Sequence, residues 1–106
     1  MPWLRVGTTA DFPPATRRFL RLLGRPVLVR RDADGNCSAL ELGCRHQGAD
    51  LSAGTIAGDQ VTCRRHGWRY DLATGACLDH PELPLRPLPC RLDGDRLLVD
   101  PRPAEE

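Results

Sequence analysis

The chain is short of the side chains that most enzymatic chemistry needs. It holds 3 histidines, 1 tyrosine, 2 tryptophans and 2 phenylalanines in 106 residues. Its aspartates, Asp71 and Asp79 included, stand without a nucleophile–base or paired-carboxylate constellation, so they read as turn and hydrogen-bonding residues. Excess charge of either sign is also missing. With 15 basic and 14 acidic residues the net charge is +1, which points to no nucleic-acid partner and no anionic membrane. No apolar run approaches the length of a transmembrane helix, and Met1 to Asp11 contains none of signal-peptide length, so the expected location is cytoplasmic. Repeats, low-complexity stretches and linkers are absent as well, and a 41% hydrophobic content suits a single domain over 1–106 with a modest core.

What the chain does have is cysteine and histidine in two tight clusters. Cys44-Arg45-His46 and Cys63-Arg64-Arg65-His66 are separated by sixteen residues. Two thiolates and two imidazoles satisfy tetrahedral zinc. Zinc fingers, however, favour both cysteines in one pair and both histidines in the other, whereas here each pair is mixed and the first has a single intervening residue. A 2Fe–2S core fits better, with imidazoles replacing two of the four thiolates and making it less negative and easier to reduce. Gly48 and Gly67 follow the two histidines closely. Glycine at such points permits positive φ and close approach of the main chain, with N–H groups directed at sulfur.

The segments Cys44-Arg45-His46-Gln47-Gly48-Ala49 and Cys63-Arg64-Arg65-His66-Gly67-Trp68-Arg69-Tyr70-Asp71, with Leu72-Ala73-Thr74-Gly75 after them, resemble the Rieske family and in particular the small Rieske-type ferredoxins. The resemblance covers nearly the whole chain. It implies that Cys44 and Cys63 bind one iron and His46 and His66 the other, giving one cluster per chain in loops of about 43–51 and 62–71. It also implies an all-β fold of stacked antiparallel sheets with an inserted cluster-binding subdomain. High-potential members join their loops by a disulfide, at positions held here by Ala49 and Arg65. That bridge is therefore absent, and packing of Trp68, Leu51 and the proline-rich stretch must stiffen the loops. Of the two hydroxyls those members direct at cluster sulfur, the serine position holds Trp68 and the tyrosine position keeps Tyr70. The expected potential lies in the lower part of a range of about −150 to +300 mV.

The function implied is one-electron relay from a flavoprotein reductase to a terminal oxygenase. Larger Rieske oxygenases add a mononuclear iron held by two histidines and a carboxylate. Only His80 is spare in this chain, so substrate oxidation is expected on a partner protein. The alternative is the small Rieske subunit of a larger oxidoreductase such as nitrite reductase; a reading from another class is a zinc-stabilised protein-binding module. Arg45 and Arg64 stand where relatives commonly have proline. With Arg65 and Arg69 they form either solvated surface charge or a docking patch for an acidic partner.

Cys37, Cys77 and Cys90 read as buried thiols, with Cys77 left outside the ligand set, and His80 as a solvated or capped loop residue. Alternating and β-branched runs predict strands over Leu4–Thr8, Arg17–Leu23, Pro26–Arg31, Cys37–Leu42, Gln60–Cys63, Trp68–Asp71, Leu88–Leu92 and Arg96–Val99. Asp34-Gly35, Asp93-Gly94, Gly24-Arg25 and Gly58-Asp59 read as reversals, Pro81 to Pro89 as an irregular loop, and 101–106 as a loose tail. No helix is expected.

Overall fold

A computed structural model describes residues 3–43, 50–65 and 67–101. The chain runs β1 (Leu4–Thr8), β2 (Thr16–Leu22), β3 (Arg25–Arg31), β4 (Cys37–Glu41), a 3₁₀ turn (Leu51–Ala53), β5 (Thr55–Ala57), β6 (Gln60–Thr62), β7 (Arg69–Asp71), β8 (Pro87–Leu88), β9 (Cys90–Asp93) and β10 (Arg96–Val99). Three sheets result, with strand orders β1-β10-β9, β2-β3-β4-β8 and β5-β6-β7. Every pairing within them is antiparallel. Among the described residues no helix is long and apolar enough to cross a membrane.

The β2-β3-β4-β8 sheet is the middle layer, and side-chain alternation shows why. Successive strand residues face opposite sides, and Val27, Leu28 and Val29 of β3 are all buried. Val27 and Val29 join Phe12, Ala39, Leu88, Leu97 and Val99 in an outer core shared with β10. Leu28 and Leu40 point the other way, into a second core with Leu42, Leu51, Val61, Cys63, Tyr70, Leu72, Cys77 and Leu85. A continuous apolar triplet in one strand thus serves two cores, and the second of them includes Leu42, Leu51 and Cys63, which flank or belong to the cysteine–histidine segments.

Several boundaries differ from those expected, each for an identifiable reason. The β2–β3 reversal is centred on Leu23-Gly24, not Gly24-Arg25, because Leu22 pairs with Arg25. Both central residues have positive φ, 53° for Leu23 and 80° for Gly24, the form whose twist matches a two-residue hairpin. The run expected as one strand from Leu88 to Leu92 splits at Pro89, which has no N–H to give a ladder. Leu88 stays with the middle sheet while Cys90 begins the strand that pairs with β10. The short strand β5 and the 3₁₀ turn were not expected. Asp50 caps that turn by accepting the Ser52 N–H, a role its residue type favours. Residues 102–106 of the expected tail lie outside the described residues.

Candidate metal centre

The stems that flank the two segments expected to carry the ligands share one core. The first stem is closed by a bridge between Gly43 and Asp50 and by the Leu51 N–H donating to the Leu42 carbonyl at 2.9 Å. The second is closed where the Cys63 N–H donates to the Trp68 carbonyl at 2.8 Å and the Gly67 N–H returns to the Cys63 carbonyl at 3.0 Å. Gly67 holds φ 74°, as expected of a residue that turns the chain back on itself. Leu42 and Leu51 from one stem and Cys63 from the other are buried in the same apolar cluster, and Trp68 packs against it. The structure therefore brings the bases of both loops together from positions far apart in sequence.

Of the expected ligands, Cys63 is described. It is 2% exposed, its thiol enclosed by apolar neighbours. Cys44, His46 and His66, together with Arg45, Gly48 and Ala49, lie outside the described residues. The donor chemistry of the four, two thiolates and two imidazoles on converging stems, fits an iron–sulfur centre ligated unequally at its two ends.

Around the second stem the chain is held by its own side chains. Arg69 forks onto Asp79, with Nη2 to Oδ1 at 2.9 Å and Nε to Oδ2 at 3.3 Å, while its backbone N–H donates to Oδ2 at 2.8 Å. Those bonds, the guanidinium first, hold the Asp79 carboxyl below its ordinary value and raise Arg69 above its own. Arg69 is thus spoken for by an internal acid. Arg64 and Arg65 are exposed, and among the described residues neither makes an ion pair. The available cationic group is therefore smaller than the four guanidiniums the sequence suggested.

Tyr70 is fully buried beside Cys63 in the same cluster. Trp68 stacks on His80, with ring centroids 3.8 Å apart and planes inclined by 28°. The His80 N–H in turn donates to the Cys77 sulfur at 3.3 Å, so Cys77, 2% exposed, anchors the segment that carries His80. Asp71 closes the turn that follows: its Oδ1 accepts the Ala73 N–H at 2.8 Å. Leu85, from the proline-rich stretch, is buried in the loop-side core and donates its N–H to the Gly75 carbonyl at 2.7 Å. Trp68, Leu51 and that stretch thus all pack in or against the loop-side core.

The chain belongs to the Rieske [2Fe-2S] domain family, which matches residues 2–90. One Rieske-type 2Fe–2S cluster goes with such a domain. The ferredoxin of carbazole 1,9a-dioxygenase from Nocardioides aromaticivorans IC177 superposes with a TM-score of 0.66 at 30% identity, covering 96% of this chain and 100% of that one. A chain from the complex of reduced oxygenase and oxidised ferredoxin in carbazole 1,9a-dioxygenase gives a TM-score of 0.70 at 31% identity, covering 99% and 98%. In sequence, the 5,5'-dehydrodivanillate O-demethylase oxygenase subunit of Sphingobium sp. (strain NBRC 103272 / SYK-6) is 33% identical over 79 residues, 74% of this chain and 18% of that protein. This chain accordingly spans less than a fifth of that relative. The NADH-dependent nitrite reductase small subunit of Mycobacterium tuberculosis, at 23% identity and a TM-score of 0.63, shares the fold.

Proposed function

We propose that this protein is a Rieske-type ferredoxin, a one-electron carrier that takes electrons from a flavoprotein reductase and delivers them to a terminal oxygenase on which the oxidation of substrate takes place. The observation that carries this reading is the mutual coverage with a ferredoxin chain, 96% and 100%, on a fold whose two loop stems share one core. Cys44 and Cys63 would hold one iron, and His46 and His66 the other. When bound, the cluster supplies reversible one-electron chemistry. Cys63 is kept from solvent by Leu42, Leu51 and Tyr70, which limits loss of iron to competing ligands. Trp68 and Gly67 close the base of the second loop by hydrogen bonds with Cys63. Exposed Arg64 and Arg65 favour a partner with an acidic docking surface.

Purification without oxygen tests the reading. The expected product is coloured, contains two irons and two acid-labile sulfides per chain, and gives a low average g value when reduced. It accepts electrons from a flavoprotein reductase and NADH, and Arg64→Glu lowers the rate of transfer at low salt more than at high salt. A colourless protein containing zinc overturns the assignment. Tight co-purification with a large catalytic subunit favours instead the small subunit of a larger oxidoreductase, such as nitrite reductase.

A further inference from the structure

The β4–β8 ladder pairs Ala39 with Leu88 and Leu40 with Pro87. Continued two residues further in the same register, it sets Cys37 opposite Cys90. Pro89 interrupts the ladder and β9 turns away to pair with β10, where Cys90 faces Val99. The two cysteines nevertheless stay near each other, since the strands that carry them, β4 and β9, lie against one another. Both pack against the outer core that Ala39 and Leu88 also enter, as alternation along the strands requires. They were expected as buried thiols but are only half-buried, and they lie on the opposite side of the middle sheet from the loop-side core.

We propose that Cys37 and Cys90 are a thiol–disulfide site, oxidised to an intramolecular bridge by a small-molecule disulfide. Disulfides accept Cα atoms about 4.4–6.8 Å apart, a span within reach of neighbouring strands in contact, as β4 and β9 are. Burial, with Cys37 close by, pushes the Cys90 thiol up, which suits Cys90 to the second, resolving step. The Cys37 thiolate displaces one thiolate from the small disulfide and forms a mixed disulfide. Cys90 then loses its proton and attacks the Cys37 sulfur, expelling the second thiolate. Two protein thiols are oxidised, one small disulfide is reduced to two thiols, and no other acceptor is needed.

The bridge would close a loop from 37 to 90 that contains Cys44, His46, Cys63 and His66. It would also add a covalent tie between the middle sheet and β9, which otherwise meet through packing in the outer core. Closing so long a loop restricts the unfolded chain and raises stability.

Holoprotein prepared without oxygen, treated with oxidised glutathione, alkylated and mapped by peptide mass spectrometry tests this. The expected result is a Cys37–Cys90 cross-linked peptide, with a thermal midpoint at least about 5 °C above that of dithiothreitol-treated protein. In Cys37→Ser and Cys90→Ser the midpoint shift is lost, and the remaining cysteine is recovered free or carrying glutathione. The proposal is overturned if wild-type Cys37 and Cys90 are recovered separately alkylated, if each carries glutathione, or if either is cross-linked to Cys77.

Discussion

Trp68 and His80, twelve positions apart in sequence, lie ring on ring at 3.8 Å, and through them the second loop stem is braced by the segment that begins at Cys77. The contact fastens one side of the stem while the core holds the other. Replacing Trp68 by Ala is expected to cost about 2 kcal/mol, since a half-buried tryptophan loses both packing and a ring partner. His80→Ala should cost about 1 kcal/mol and His80→Phe much less. Urea unfolding of the three variants checks this; an equal loss for Phe and Ala at position 80 would argue against stacking.

The Arg69–Asp79 fork makes a pH prediction. Asp79 is held below the ordinary aspartate value of 3.8 by Arg69, so in the unfolded chain it binds its proton at higher pH than in the folded one. The pair's contribution is therefore complete above that ordinary value and fades as pH falls through the lowered one. Asp79→Asn should unfold at a lower temperature than wild type at neutral pH, and the two midpoints should converge in strong acid. Melting curves from neutral pH downward measure it. A constant difference at all pH values would assign the effect to something other than the carboxylate's charge.

Gly54 and Gly58 should respond differently to the same change. A Cβ at Gly54 would run into the Thr62 carbonyl oxygen, a backbone atom that cannot step aside, whereas a Cβ at Gly58 would meet nothing within 4 Å. Gly54→Ala is expected to cost about 3 kcal/mol or more and to loosen the β5–β6 hairpin beside Cys63. Gly58→Ala has only its φ of 59° against it, a cost of about 1 kcal/mol. Chemical denaturation of both compares them directly.

Leu23 offers a gain. It is 74% exposed and holds φ 53°, a conformation that costs a leucine about 1–2 kcal/mol. Leu23→Asn creates the Asn-Gly pair that such hairpins prefer, and an increase in stability of roughly 0.5–1 kcal/mol is expected without change to the loops. A rise in thermal midpoint measures it.

His66→Cys should move the midpoint potential toward that of all-thiolate clusters, near about −400 mV, or abolish the cluster. Voltammetry distinguishes these from a potential identical to that of the unaltered protein, which would remove His66 from the proposed ligand set.

Much of this was legible in the sequence because it is local. The β-branched apolar run at 27–29 and the alternation in 37–42 revealed strands, and the Cys–His spacing with Gly67 marked the loops. What escaped notice depends on partners distant along the chain or on one residue's missing donor. Pro89 divides an apolar run that reads as continuous. Thr55–Ala57 is too short to show a period and becomes a strand only by pairing with β6. Asp79 looked like a turn residue, and nothing nearby signals that it neutralises Arg69. The approach of β9, with Cys90, to β4, with Cys37, follows from the strand registers, which spacing alone does not give.

The double duty of β3 has a thermodynamic corollary. Val27 and Val29 on one face and Leu28 on the other belong to a single backbone that cannot detach from one core and remain seated in the other. Amides of this strand should therefore exchange with solvent only when the whole molecule opens, and the two halves should melt as one cooperative unit.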